Sequence, residues 1–295
     1  MLHCSVALGF FCQSATLKTV LPGKLCKIDR IGRCIFQWSV QLLTVPRRFS
    51  GIARLYGEDG LHRFQQSKVC IIGVGGVGSW AAEALVRSGI GSLVLIDLDH
   101  VAESNINRQL QALDDTLGKA KVVALKERFL QINPDCKITC IEEFVSVENV
   151  AELVSTDFDF VLDCIDSHRI KAAVISRCRN NKIKIVTAGG AGGQIDPSQV
   201  KVSDLRQTEH DPLLAKTRRL LRKQYGFSSN PKRRFGVAAV WSTEAIAVGD
   251  AANASTGGGL NCAGLGSAMP VTANFGLLAA SHVLKQLNGA SQRDK

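Results

Sequence analysis

The feature of this sequence that most limits its fold is a glycine-rich turn that follows a short apolar run. Lys68–Ile72 is rich in valine and isoleucine, which predicts a buried strand, and it leads directly into Gly73-Val74-Gly75-Gly76-Val77-Gly78. Helical periodicity follows, over residues 76–89. A strand, a glycine turn and a helix in this order form a phosphate-binding unit, because the free N–H groups at the helix N-terminus face the anion. The turn alone does not distinguish a dinucleotide from a nucleoside triphosphate.

Strands and helices continue to alternate beyond this unit. Their spacing predicts an α/β fold with a Rossmann-like, doubly wound, mainly parallel sheet. After about residue 190 the alternation weakens, so we expect an extended C-terminal part. The predicted strands are 68–72, 92–97, 137–141, 158–163, 183–187, 194–202 and 235–241, and the predicted helices are 54–64, 76–89, 119–133, 147–154, 169–180, 213–225 and 268–287.

The basic charge of the chain is concentrated in two segments. The net charge is +10, and residues 1–48 carry seven Lys/Arg against one acid, while residues 206–234 carry nine against two. The composition of residues 1–47 is typical of an organellar transit peptide, with a disordered tail as the alternative. We therefore expect a folded domain at 48–288 and a mitochondrial location, with a plastid as the alternative, or the cytoplasm if the segment does not target.

Cysteine usage and hydropathy bound the chain further. The ten cysteines are spread through predicted strands and helices and form no Cys-x-x-Cys pair, so we expect free thiols in a reducing compartment and no structural zinc. The apolar stretch Ala268–Leu287 raises the question of a membrane span. Pro270 and Lys285 interrupt it, which favours a buried helix. Association with a membrane is left open.

Polar residues follow two of the predicted strands at the phosphate end of the sheet. Asp97 ends the second strand and suits a ribose hydroxyl, which either kind of cofactor offers. Asn105 and Arg108 come next, Lys121 opens a helix, and Asp166 follows the fourth strand. Attack of a carboxylate on the α-phosphorus of ATP builds negative charge that Arg and Lys stabilise, and a carboxylate suits Mg²⁺ on the departing pyrophosphate. These residues favour ATP, and a nicotinamide-dependent oxidoreductase is the alternative.

Five motifs within residues 68–190 together resemble the ATP-binding pattern of the ubiquitin-activating-type (ThiF/MoeB/HesA-like) adenylyltransferases. They are Gly73-x-Gly75-Gly76-x-Gly78, Asp97-x-Asp99, Ser104-Asn105-x-x-Arg108-Gln109, Gly118-x-x-Lys121 and Asp163-x-x-Asp166-Ser167. The resemblance implies that ATP contacts Gly73, Gly75, Gly76, Gly78, Asp97, Asp99, Asn105, Arg108, Lys121 and Asp166. It also implies catalytic roles for Arg108, Lys121 and Asp166, with Asp166 as the Mg²⁺ ligand.

Further motifs, over about residues 48–285, resemble the tRNA threonylcarbamoyladenosine dehydratases. They are Ala53-Arg54-Leu55-Tyr56-Gly57-Glu58, the run Gly75 to Leu85, Ala188-Gly189-Gly190-Ala191-Gly192-Gly193-Gln194-Ile195-Asp196-Pro197 and Asp211-Pro212-Leu213. The resemblance implies a homodimer that uses ATP to activate the carboxylate of threonylcarbamoyladenosine in tRNA, so that the modification closes into a ring. It also implies cysteine-desulfurase-type accessory proteins as candidate partners.

Two further positions follow from the comparison with this family pattern, one that matches it and one that departs from it. Cys262 matches a family cysteine and is a candidate catalytic residue, with a buried free thiol as the alternative. The wider superfamily places an arginine from the neighbouring subunit into the site. Gly51 stands at the aligned position here, so Arg54 is the candidate substitute.

The basic segment at about 206–234 is the predicted tRNA contact, with a solvated surface as the bland alternative. We expect Arg218, Arg219 and Arg222 to cluster on one side of a helix. The predicted tRNA-binding residues are Lys216, Arg218, Arg219, Arg222, Lys223, Lys232, Arg233 and Arg234. An alternative function keeps the adenylylation but activates the C-terminus of a ubiquitin-like or sulfur-carrier protein.

Overall fold

The computed structural model describes residues 46–246 and 265–289, together with two short strands nearer the N-terminus. The chain divides into two compact units, Met1–Thr44 and Val45–Lys295. In the first unit, β1 (Cys26–Ile28) pairs antiparallel with β2 (Cys34–Phe36). Cys262 and the glycine-rich residues 249–261, for which the sequence composition predicts a loop, lie outside the described residues.

The second unit is built on a seven-stranded sheet. Its strands are β3 (Lys68–Ile72), β4 (Ser92–Ile96), β5 (Lys137–Ile141), β6 (Phe160–Asp163), β7 (Lys184–Ala188), β8 (Val200–Asp204) and β9 (Ala238–Ser242). They lie in the order β5-β4-β3-β6-β7-β9-β8, and all pairings are parallel except that of β8 with β9. This confirms the predicted Rossmann-like, mainly parallel sheet. The order reverses between β3 and β6, and such a switch point opens a crevice at the carboxyl ends of the strands.

Helices cover both faces of the sheet. They are α1 (Ser50–Tyr56), α2 (Glu58–Gln66), α3 (Gly78–Arg87), α4 (Lys121–Ile132), α5 (Val150–Leu153), α6 (His168–Asn180), α7 (Pro212–Gln224) and α8 (Met269–Asn288). One core lies under α2, α3, α4 and α8 and contains the fully buried Phe64, Phe129 and Phe275. The other lies under α5, α6 and α7 and contains Ala172 and Leu221. Burial on both faces explains why the central parallel strands β3, β4, β6 and β7 are continuous apolar runs.

The C-terminal apolar stretch forms a helix that packs on the sheet, as predicted. Helix α8 begins with Pro270 in its first turn, where the missing N–H has no intrahelical partner to lose. A Cβ on Gly276 would overlap the carbonyl oxygen of Val77, so glycine lets α8 approach the start of α3. Within residues 46–246 and 265–289, no helix is both long enough and apolar enough to span a membrane.

Two predicted elements differ from the structure for local reasons. The predicted helix 54–64 is divided into α1 and α2 by Gly57, whose φ of 81° breaks the helix. The strand predicted at 194–202 starts only at Val200. Before it, Pro197–Gln199 forms one 3₁₀ turn, because the Asp196 carboxylate accepts a hydrogen bond from the Ser198 N–H and proline favours the first helical position.

Candidate active site

A cavity of about 430 Å³ lies at the carboxyl ends of β3, β4 and β6, at the switch point of the sheet. The structure brings nine of the ten predicted ATP contacts to its wall. They are Gly73, Gly75, Gly76, Asp97, Asp99, Asn105, Arg108, Lys121 and Asp166. The tenth, Gly78, is buried in the first turn of α3 behind the wall. Residues spread over about ninety positions of the chain therefore converge on one crevice.

The glycines of the turn have separate steric reasons. Gly73 has a φ of 85°, and a Cβ there would lie 3.0 Å from the carbonyl oxygen of Cys164. A Cβ on Gly78 would overlap the carbonyl oxygen of Gly73, so the turn could not fold onto α3. Gly75 has open space beside it, with the Gln109 side chain 3.7 Å from an added Cβ. Gly73 and Gly78 shape the turn, and Gly75 keeps its backbone accessible from the cavity.

Asp97 ties the end of β4 to the glycine turn. One carboxylate oxygen accepts a hydrogen bond from the Val74 N–H at 2.7 Å, and the other accepts one from the Asp99 N–H at 2.9 Å. A carboxylate has about four acceptor positions, so each oxygen retains room for a further donor. The side chain is thus fixed in place and can still accept a hydroxyl from the cavity.

Lys121 and Asp99 form an ion pair at the cavity wall. The Lys121 ammonium lies 2.7 Å from an Asp99 carboxylate oxygen, and the side chains are 6% and 56% exposed. The family resemblance predicts that both side chains contact ATP, and the structure also joins them to each other. An ammonium has three N–H donors, so Lys121 can bond Asp99 and an anion in the cavity together.

Arg108 is positioned by its own segment. Its guanidinium donates to the carbonyl oxygen of Ser104 at 2.7 Å and to the Asn107 side chain at 2.9 Å, and the indole N–H of Trp80 donates to the Arg108 carbonyl at 3.0 Å. The Asn105 amide oxygen accepts the Ala102 N–H at 3.2 Å. The guanidinium has five donors in all, so these contacts orient the side chain without using it up.

Asp166 is exposed on the turn between β6 and α6, and buried charges hold the start of that turn. The Asp163 carboxylate accepts the Ile165 N–H at 3.2 Å, the Thr187 hydroxyl at 2.7 Å and the Lys171 ammonium at 2.9 Å. Both side chains of the Lys171–Asp163 pair are fully buried. Burial raises the pKa of the Cys164 thiol in the same turn to about 12, and the charge of Asp163 adds to this effect.

Several residues of the cavity wall were not predicted as site residues. Glu143, Phe144 and Val145 follow β5, and the Phe144 side chain is 65% exposed. Gly189 and Gly190 follow β7, and Leu213 lies in the first turn of α7. No motif marks residues 143–145. Their position after a strand was the only available signal, since carboxyl ends of parallel strands meet at one edge.

The basic residues of α7 fall into two groups rather than one cluster. Lys216, Arg219 and Lys223 are exposed, and their spacing places them on one helix face. Arg218 and Arg222 are only partly exposed. The Arg218 guanidinium donates to the Thr208 hydroxyl, and Arg222 lies over the Phe235 ring at 5.3 Å. The predicted cluster of three arginines therefore separates, because two of them pack against the protein.

Other predicted basic residues lie outside the cavity wall. Lys232, Arg233 and Arg234 are exposed in the loop before β9. Arg54 is exposed on α1 and does not line the cavity of its own chain. His168, at the start of α6, has a pKa below its ordinary value, first through partial burial and then through the nearby charges of Lys216 and Arg169. Lys216 of α7 and Arg169 of α6 therefore both lie near His168.

Comparison with known proteins gives consistent matches. The ThiF family matches residues 49–295. A tRNA threonylcarbamoyladenosine dehydratase of Haemophilus influenzae is 49% identical over 243 residues, which are 82% of this chain and 93% of that protein. Among solved structures, E. coli tRNA N6-threonylcarbamoyladenosine dehydratase, TcdA, in complex with ATP is 48% identical, with a TM-score of 0.77 over 84% of this chain and 96% of that one. The same enzyme in complex with AMP also gives a TM-score of 0.77.

These matches decide between the two nucleotides, ATP and a nicotinamide cofactor, that the sequence left open. The nicotinamide alternative finds no support, because the matched enzyme was crystallised with ATP and with AMP. The family match covers the whole seven-stranded sheet and the cavity residues. The chain therefore belongs to the ThiF family and, within it, groups with the tRNA threonylcarbamoyladenosine dehydratases.

Proposed function

We propose that this chain is an ATP-dependent dehydratase that acts on threonylcarbamoyladenosine in tRNA. The observation that carries the proposal is the cavity itself. It joins a phosphate-binding glycine turn to Asp97, Arg108, Lys121 and Asp166, in a chain that matches nearly the whole length of an enzyme with that name.

The proposed reaction has two steps. An oxygen of the substrate carboxylate attacks the α-phosphorus of ATP, a P–O bond forms, and pyrophosphate leaves. A nitrogen of the same threonylcarbamoyl group then attacks the activated acyl carbon, loses its proton, and AMP leaves with the carboxylate oxygen. The substrate thereby loses one water. Because nucleophile and acyl group belong to one molecule, the second step has a large effective concentration.

The residues of the cavity suit the charges of the first step. The backbone of the glycine turn and the N-terminus of α3 suit the phosphates, and Asp97 suits a ribose hydroxyl. Arg108 and Lys121 bring two cations to the wall where negative charge develops as pyrophosphate departs. Removing one such cation is expected to lower the rate about 10²-fold or more.

Asp166 fits a Mg²⁺ ion that is shared with ATP. Among the residues that the structure describes, no group of three or more His, Cys, Asp or Glu side chains could hold a metal ion. Mg²⁺ commonly takes one or two carboxylates together with substrate phosphates and waters, so the exposed Asp166 carboxylate is a suitable ligand. Such an ion would neutralise charge on the pyrophosphate as it leaves.

The exposed cations of α7 are the proposed contact with the tRNA backbone. Lys216, Arg219 and Lys223 form a stripe on a helix whose first turn reaches the cavity through Leu213. Lys232, Arg233 and Arg234 extend the basic surface. A tRNA held here would have phosphates against the stripe, and its binding would weaken steeply as salt rises.

The decisive experiment incubates the protein with ATP, magnesium and tRNA that carries threonylcarbamoyladenosine. Release of pyrophosphate and mass spectrometry of the digested nucleosides follow the two steps separately. Arg108→Ala and Asp166→Ala are expected to remove both signals, and Arg87→Ala, which alters an exposed arginine of α3, is the control. Pyrophosphate release that requires a ubiquitin-like or sulfur-carrier protein instead of tRNA would favour the alternative acceptor. No pyrophosphate release with either acceptor would refute the proposal.

A second experiment tests the tRNA surface. Arg219→Glu/Lys223→Glu is expected to weaken tRNA binding at least tenfold while ATP binding is retained, because contacts with tRNA phosphates are lost. The salt dependence of tRNA binding should also decrease, because it scales with the number of phosphate contacts. The matched control is Lys137→Glu/Lys184→Glu, which changes the charge equally at two exposed lysines on other elements. Equal effects of the two double variants would contradict this placement.

We further propose a homodimer in which Arg54 reaches the partner's cavity, on the basis of the family resemblance and the exposure of Arg54 on α1. Mixing Arg54→Ala with Asp166→Ala subunits tests this, because only a shared site restores activity in the mixture.

Residues 1–47 stay a predicted presequence supported by composition, and the bacterial relative gives a mitochondrial location no support. Imaging a fusion of residues 1–47 with a fluorescent protein tests the location.

A further inference from the structure

We propose that Asp211 is a positioning residue that fixes helix α7 to the wall of the nucleotide cavity. This inference rests on the proposed function, in which α7 carries the tRNA and the cavity holds ATP. The reacting carboxylate belongs to the tRNA and the α-phosphorus to ATP. The relative position of the two binding surfaces therefore sets the geometry of the reaction.

The Asp211 carboxylate bonds two different elements through its two oxygens. One oxygen accepts the Leu214 N–H at 2.8 Å, which caps the N-terminus of α7. The other accepts the Gly190 N–H at 2.9 Å, and Gly190 lies at the end of β7 in the cavity wall. The same side chain thus begins the helix and attaches it to the wall.

The wall is shaped to receive this carboxylate. A Cβ on Gly189 would overlap the Asp211 carboxylate oxygen, so glycine leaves the space that the carboxylate fills. Asp211 is 5% exposed. Burial raises its pKa above the ordinary value, against the opposing effects of its backbone hydrogen bonds and of the Lys171 charge. A buried carboxylate on two N–H groups is a costly arrangement for a cap that a serine could also supply.

The attachment of α7 fixes both its first turn at the cavity and the exposed cations further along the helix. Leu213, two residues after Asp211, lines the cavity. The exposed stripe starts at Lys216 and runs to Lys223, about 10 Å along the helix axis at the usual rise per residue. Because a helix moves as a rigid element, a fixed first turn also fixes the distance of each cation from the cavity.

A second Asp-Pro pair in the chain shows what capping alone requires. Asp196, before Pro197, accepts the Ser198 N–H at 2.9 Å and bonds the Ser198 hydroxyl and Gln199 amide within its own turn. The hydrogen bonds of the Asp196 carboxylate stay local, whereas the Asp211 carboxylate also bonds Gly190, 21 positions away in the chain. Capping explains Asp196 fully, and it leaves the bond from Asp211 to Gly190 unexplained.

The test separates capping from attachment with Asp211→Ser. A serine hydroxyl can still cap α7 through the Leu214 N–H, since serine is as good a cap as aspartate, but it has one oxygen and cannot also reach Gly190. We expect turnover at saturating tRNA and ATP to fall about tenfold or more, because small misplacements of reacting groups cost up to 10² in rate. The dissociation constants for ATP and for tRNA should stay within about threefold, because the glycine turn and the cations are unchanged.

The control is Asp196→Ser, which makes the same change at the local cap and should keep wild-type turnover. The ATP-binding stoichiometry gives the folded fraction of each variant, so lost folding is corrected for. Wild-type-like turnover of Asp211→Ser would overturn the inference, as would a loss that lies in tRNA affinity alone. If Asp211→Ser does not fold, Asp211→Asn is judged by the same measurements. Its amide oxygen can accept only one of the two N–H groups in place of the two carboxylate oxygens, because its NH₂ group is a donor and must face the other N–H. Inactivity of the wild-type protein itself would refute the proposed function instead.

Discussion

Replacing Lys171 by methionine is expected to destabilise the protein far more than the same change at a surface lysine. The Lys171 ammonium lies 2.9 Å from Asp163 and 3.1 Å from the Thr187 hydroxyl, and no part of either charged side chain is exposed. Methionine fills the space of the lysine stem but leaves the Asp163 charge buried without its cation. Breaking a buried ion pair by removing one partner costs about 3–5 kcal/mol.

The structure supplies a control in which distance and burial point in opposite directions. The Lys119–Glu127 pair is closer, at 2.5 Å, but its side chains are 37% and 57% exposed. An exposed pair contributes less than about 1 kcal/mol, because water already solvates both charges. If separation decided the energy, Lys119→Met would cost more than Lys171→Met. Burial reverses the expected order.

Thermal unfolding followed by circular dichroism measures the melting temperatures of both variants, and urea unfolding measures their free energies of unfolding. Lys171→Met should lower the melting temperature by roughly 6–20 °C at about 2–4 °C per kcal/mol for a domain of this size. Asp163→Leu/Lys171→Met should recover most of the loss, since no charge is then buried, although the Ile165 N–H and the Thr187 hydroxyl lose an acceptor. A loss below about 1 kcal/mol for Lys171→Met would refute the reasoning.

Three further outcomes are expected. Gly78→Ala should weaken ATP binding at least tenfold in calorimetry, because its Cβ overlaps the Gly73 carbonyl; unchanged affinity would show that the turn adapts. Cys164 should react with iodoacetamide at pH 7 more slowly than a free cysteine, because burial and the charge of Asp163 raise the pKa of its thiol, and peptide mass spectrometry would reveal any early labelling. Lys216→Ala should raise the pKa of His168 in an NMR titration, because one of two nearby cations is removed, whereas an identical titration would place Lys216 elsewhere.

The central strands β3, β4, β6 and β7 were predicted well because each is an apolar run that is buried on both faces. Lys68–Ile72 and Lys137–Ile141 have the predicted bounds, and the others differ at their ends. Elements that depend on a single backbone angle or hydrogen bond were missed, such as the break at Gly57 and the 3₁₀ turn after Asp196. Such features take their energy from local contacts that hydrophobic periodicity does not record.

The site was predicted from motifs, so its residues without a motif were not. Asp97, Arg108 and Lys121 belong to patterns that can be read along the chain, and the structure brings them to one wall. Phe144 lines the same cavity from a segment that carries no motif. Leu213 also lines it, and its motif, Asp211-Pro212-Leu213, was not assigned to the site. Pairings across the fold, such as that of Lys121 with Asp99, also depend on distances that sequence spacing does not give.

The sequence by itself determined the alternating strands and helices, the glycine turn and the set of charged residues that favours ATP. These follow from periodicity and residue type, which act over a few neighbouring positions. Tertiary structure alone decided which charges are buried and which two elements each side chain joins. Arg219 faces solvent while Arg218 packs against Thr208, and Asp211 meets Gly190 across 21 positions. Burial and long-range hydrogen bonds are properties of the packed chain, because the elements acquire neighbours only when the sheet and its helices come together.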